Sequence, residues 1–175
     1  MPSLKFVAAI CFLAAGLGVC RANLGETEAQ SITRYGSESD AQDGLGYHQV
    51  GDRTATFHAR FSGVALNIRI IFLNGRDCHE TISNVDDARG LTLEQMKAIL
   101  DSEGAGQDWH KGRAVYRSDR HDTAGAIGWK RDDGAIATFW LSGKAASQNQ
   151  SGEMELSTKQ YATAQAYWDK EDGSN

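Results

Sequence analysis

The chain has 175 residues, with 23 acidic against 18 basic side chains and a formal net charge of −5 at pH 7. That length suits one ordinary domain or two very small ones. The acidic balance, without any basic run longer than two residues, argues against nucleic acid or an anionic membrane surface as partner, since both reward clustered Lys and Arg.

Residues 1–22 read as a cleaved secretory signal. Lys5 supplies the positive start, Phe6 to Val19 is an apolar run, and Cys20-Arg21-Ala22 ends on a small residue. About 14 residues is too short for a stable membrane span, which needs roughly 20. The mature chain is then expected to begin near Asn23 and to lie in the periplasm or outside the cell. Lipid modification of Cys20 is the alternative: Leu17 suits such a cut, whereas Val19 is bulkier than the small residue wanted beside it. With Lys5 and Arg21 removed, 16 basic residues face 23 acidic ones, a net of about −7. Such a charge favours a soluble, monomeric chain.

Of three cysteines only Cys78 lies beyond the signal, so no internal disulfide is possible there and a buried, inert thiol is expected. The only proline is Pro2, so turns must be built from Gly, Asn and Asp.

In chain order, Glu26 to Tyr35 reads as a short helix, with Thr27 and Gln30 at capping-box spacing and Gly36 as its stop. Ser37 to Asp52 is polar and glycine-rich, hence a loop. Arg53–Phe61 and Val64–Leu73 read as strands. Leu66, Ile68, Ile70 and Phe72 alternate against Asn67 and Arg69, and Asn74-Gly75 forms a tight turn into a strand from Arg76 to Ser83. Simple alternation there places Cys78, Glu80 and Ile82 on one face and Asp77, His79 and Thr81 on the other. A second helix starts at Thr92, with Gln95 completing a capping box, Leu91 stapling onto Met96, and Leu93, Met96, Ile99 and Leu100 as its apolar stripe. Gly104 or Gly106 ends it. Trp109 and Val115-Tyr116 mark a short extended segment. A second hairpin runs from Ala126 to Arg131, through Asp132-Asp133-Gly134, to Ala135–Leu141. Ala145 to Gly152 reads as a loop, Glu153–Thr158 as one more strand, and residues 169–175 as an acidic tail.

These elements make an α+β domain over residues 23–168: antiparallel hairpins forming a sheet, with two short helices on one face. A T-x-x-Q helix ending at glycine precedes the Asn-Gly hairpin, and another precedes the Asp-Gly hairpin, which implies two helix-plus-hairpin halves.

The order of the short helix ending in Arg34-Tyr35-Gly36, Phe72-Leu73-Asn74-Gly75, the helix from Leu91 to Leu100, Trp109 and the hairpin from Trp129 to Gly134 resembles a group of small uncharacterised exported proteins found mainly in Verrucomicrobia. The likeness covers most of the mature chain and carries no activity. The first half alone, a short helix ending at glycine and then a hairpin with an F-x-N-G-like turn, resembles the SmpA/OmlA lipoproteins of outer-membrane assembly.

Asp77-Cys78-His79-Glu80 is the densest set of potential ligands, yet alternation lets no more than two reach one metal, and zinc needs three or four. A polar strand beside a turn explains it better. If Cys78 were a nucleophile, its base would have to come from His48, His58, His110 or His121, and nothing selects among them. Asp119-Arg120-His121-Asp122 has carboxylates flanking a histidine, and it also reads as a solvated turn. Trp109, Trp129, Trp140 and Trp168, with Phe57, Phe61, Phe72 and Phe139, serve a core first and a contact surface second; Trp129 and Trp140 are candidate cross-strand neighbours. Asn149-Gln150-Ser151 fits a glycosylation acceptor, which matters only in a eukaryotic secretory pathway. No catalytic, metal or cofactor site is assigned. The expectation is a non-catalytic envelope protein binding another protein or a small molecule. The alternatives are an envelope assembly factor anchored at Cys20 and a hydrolase using Cys78 or the His121 cluster.

Overall fold

The computed structural model describes residues 24–44, 50–86, 89–103, 107–112, 123–142 and 151–171. Residues 1–22 with Cys20, His48, Val115-Tyr116, the Asp119–Asp122 knot, Asn149 and Gln150 lie outside them.

Helix α1 (Glu28–Tyr35) leads into strands β1 (Asp40–Asp43), β2 (Arg53–Phe61), β3 (Val64–Leu73) and β4 (Arg76–Asn84). Next come the two-residue β5 (Leu91–Thr92) and helix α2 (Leu93–Ser102). Strands β6 (Trp109–Gly112), β7 (Thr123–Arg131), β8 (Ile136–Ser142) and β9 (Ser151–Ser157) follow, and helix α3 (Lys159–Glu171) closes the chain. Together they form an α+β fold around one antiparallel sheet of order β1-β2-β3-β4-β9-β8-β7-β6, with β5 paired to β9.

The sheet is two four-stranded meanders joined where β4 meets β9, each preceded by a helix. The two-halves expectation holds in outline but its turns are offset. Asn74-Gly75 joins the third and fourth strands of its half, whereas Asp133-Gly134 joins the second and third of the other. The true counterpart of Asp133-Gly134 is Ser62-Gly63. Both residues there have positive φ, as do Asn74 and Gly75, the geometry a two-residue hairpin needs to follow strand twist.

Both capping boxes form. Thr27 and Thr92 accept from the backbone N–H of Gln30 and Gln95, and those glutamines reach back to the cap amides. Met96, Ile99 and Leu100 are buried while Leu93 is exposed, so the α2 stripe is narrower than its sequence period. The inner face of the sheet carries Ala55, Phe57, Leu66, Ile68, Ile70, Phe72, Ile82, Phe139, Met154 and Leu156, and both α1 and α2 pack there.

Two segments depart from the sequence reading. Asp40–Asp43, read as loop, is an edge strand on β2; all four side chains are exposed, so main-chain hydrogen bonds and the surface Arg53–Asp43 ion pair hold it and no apolar alternation announces it. Residues 159–171 form α3, where no helix was expected, because among its described side chains only Tyr161 is buried and the apolar period is weak. Thr158 accepts from the Tyr161 N–H at its start. The helix runs three residues into the stretch read as an acidic tail.

Candidate functional site

Face assignment along β4 decides what its polar residues can do. The register of β4 against β3 shifts between Ile71 and Phe72: His79 pairs with Ile71, Asp77 with Phe72, and Cys78 is the extra residue. This β-bulge breaks the two-residue period. Asp77 and Glu80 therefore both lie on the inner face beside Phe72 and Ile70, and Cys78 and His79 both lie on the outer face. The expected pairings of Cys78 with Glu80 and of Asp77 with His79 are thereby overturned.

Cys78 sits with Val50 and Tyr161 in a small outer cluster bordered by Ile71, Leu73 and Ala164. Its thiol is 5% exposed and donates to the Ile71 carbonyl at 3.2 Å. Burial, then the charge of Asp52, pushes its pKa up to about 12, so the reactive thiolate is scarce at neutral pH. His58 is exposed on β2, two strands away, and His110 lies on the far edge strand, 3.6 Å from Asp132. Neither is placed to serve as a base for Cys78. Among the described residues no group of three or more His, Cys, Asp or Glu is arranged for a metal.

Helix α3 covers part of the outer face. His79 stacks on Tyr161 with ring centroids 4.5 Å apart, and its Nδ1 lies 2.8 Å from the Ser157 hydroxyl. A cavity of about 60 Å³ between helix and sheet is lined by His79, Thr138, Trp140, Glu155, Tyr161 and Gln165, among others. That space suits a few water molecules, not an organic substrate. The contact joins residues 78 positions apart, so no local pattern announces it.

The aromatic residues divide between the faces. Trp129 pairs with Ala137, points inward and lies 5.9 Å from Phe139 with the Lys97 ammonium over its ring. Trp140 pairs with Ala126 and lies on the outer face within the α3 cavity. They are not cross-strand neighbours: Trp129 and Trp140 stand an odd number of positions from any shared pair, so the pleat sends them to opposite sides. Trp109 packs inward under the Arg131 guanidinium, 5.1 Å from its centroid. The side chain of Trp168 lies outside the described residues.

Beyond α3, the outer face of β2 and β3 carries two arginines and a histidine. His58 and Arg60 on β2 and Arg69 on β3 are all exposed, and their registers (His58 opposite Asn67, Arg69 opposite Thr56, Arg60 opposite Ala65) set them along a diagonal. At about 3.3 Å per residue the stripe spans roughly 13 Å. Among the described residues no ion pair reaches any of the three. Thr56, Asn67, Thr81 and Ser83 surround them with hydrogen-bonding groups. The alternation that sets Asn67 and Arg69 opposite the apolar residues also sets His58 and Arg60 there, so this signal was present in the sequence.

No protein-family model, no curated protein and no solved structure matches the chain. Among the described residues no helix is long and apolar enough to cross a membrane.

Proposed function

We propose that the chain is an exported, non-catalytic binding module of the cell envelope that engages an acidic protein surface through the outer face of β2 and β3. The observation that carries this reading is the stripe of His58, Arg60 and Arg69, exposed and without an ion pair among the described residues, on a chain that is acidic overall. Net negative charge repels an extended polyanion, whereas charges screened over about 8–10 Å act locally, so a compact acidic patch fits better than nucleic acid. The inert thiol and the small α3 cavity support binding over catalysis.

A labelled short peptide carrying one compact cluster of glutamates tests the surface. Binding at low ionic strength that is lost on raising salt, and abolished in R60E/R69E with the fold intact, supports the reading; equal behaviour of native chain and variant overturns it. Export is tested separately by mass spectrometry of the N-terminus. A free Asn23 end supports a soluble exported chain, a modified Cys20 supports an anchored assembly factor, and an intact Met1 in washed membranes overturns both.

A further inference from the structure

Asp77 and Glu80 lie in the apolar inner face, 2% and 1% exposed, where the bulge at Cys78 brings them together. Asp77 Oδ1 and both Glu80 oxygens receive no hydrogen bond from any described residue, and the negative charge of Glu80 bears directly on Asp77. Two neighbouring carboxylates cannot both stay charged and unpartnered in an apolar layer; one proton held by the pair removes the repulsion.

The chain directly above them is the arm that enters α1. The Gly25 N–H donates to the Asp77 carbonyl at 2.8 Å, the Asp77 N–H donates to the Glu26 carbonyl at 2.8 Å, and the Arg76 guanidinium donates to the Gly25 carbonyl at 2.9 Å. Thr27 bridges to Arg76, and Tyr35 packs on Phe57 at 5.6 Å. From this arm Arg34, paired with Glu26, favours the charged form of Glu80. From the end of α2 comes Glu103, whose carbonyl accepts from Arg131. Within β4 the neighbouring Cys78 points to the other face, and Phe72, Ile70 and Leu156 on the flanking strands are apolar. Among the described residues Arg34 is thus the cation that acts on Glu80, and none acts on Asp77.

We propose that the Asp77–Glu80 pair is a proton-dependent latch for the N-terminal arm: it holds residues 24–35 on the sheet while one proton is shared, and releases them when that proton is lost. The loss leaves two adjacent carboxylates in an apolar layer with one arginine, itself engaged by Glu26, to offset them. Burial, then the negative charge of Glu80, drives Asp77 well above the ordinary carboxylate range, and burial also raises Glu80, opposed by Asp77 as a proton donor and by Arg34. A raised folded-state carboxyl contributes fully below its unfolded value, near pH 4, and its contribution fades as pH rises toward the folded value.

Hydrogen exchange between pH 5 and 9, corrected for intrinsic rates, tests the latch. The opening constant of Glu28–Tyr35 amides should rise with pH, by up to tenfold per unit for one proton released, while Met96–Leu100 amides in α2 hold steady. D77N keeps a neutral donor and should make the opening independent of pH; E80Q, the second variant, should do the same from the accepting side. A flat profile in the native chain, α1 and α2 opening in parallel, or a slope that persists in the folded variants overturns the proposal.

Discussion

Gly125 and Gly152 flank Leu141 from either side, one on β7 and one on β9. Neither has a positive φ, so both look like ordinary strand glycines. Space separates them. A Cβ at Gly125 meets nothing within 4 Å, whereas one at Gly152 lies 1.7 Å from the Trp140 carbonyl oxygen and 2.8 Å from its carbon. The obstacle is backbone, so no rotamer change relieves it; β8 and β9 must separate by roughly 1.5 Å to restore normal contact. Gly152 also pairs with Leu91 of β5, whose side chain is fully buried beside α2. Displacement there opens both the ladder and the core. Overpacking costs about 1–3 kcal/mol, and with a weakened ladder G152A should lose about 3 kcal/mol. At roughly 2–4 °C per kcal/mol for a chain of this size, the midpoint should fall by about 10 °C. G125A should be neutral or gain up to about 1 kcal/mol through a less flexible unfolded chain. Thermal and urea melts of the two variants in parallel decide the matter. Equal midpoints, or a loss in G125A larger than in G152A, would refute the reasoning.

Three further outcomes follow from local geometry. G75V forces a β-branched residue to a φ of 69° and should cost roughly 1 kcal/mol or more, read as a lower urea midpoint at unchanged slope. T92A removes the hydroxyl that accepts from Gln95 N and should cost about 1 kcal/mol, with faster amide exchange confined to the first turn of α2. Cys78 should resist a thiol reagent at pH 7.5 and react at once in denaturant, and C78A should cost only about 1 kcal/mol; rapid labelling of the folded chain would contradict its place in the outer cluster.

Local chemistry was enough for much of this molecule. The bounds of β2 and β3, the Asn74-Gly75 turn and the two T-x-x-Q caps all depend on residues within four positions of one another, and turn φ angles and cap hydrogen bonds are set at that range. The stripe of His58, Arg60 and Arg69 was legible in the same way, from alternation alone. What required the tertiary structure was every feature set by a distant partner. One extra residue at Cys78, tolerated because Ile71 and Phe72 hold the register on either side, reverses the faces of Asp77 and Cys78 and creates the buried acid pair. The joining of the two meanders through β4 and β9 links residues some 75 positions apart, and main-chain hydrogen bonds carry no side-chain signature of which strand will supply them. Helix α3 lands on the outer face because Tyr161 finds His79 and Cys78 there, a surface that exists only once the sheet has closed.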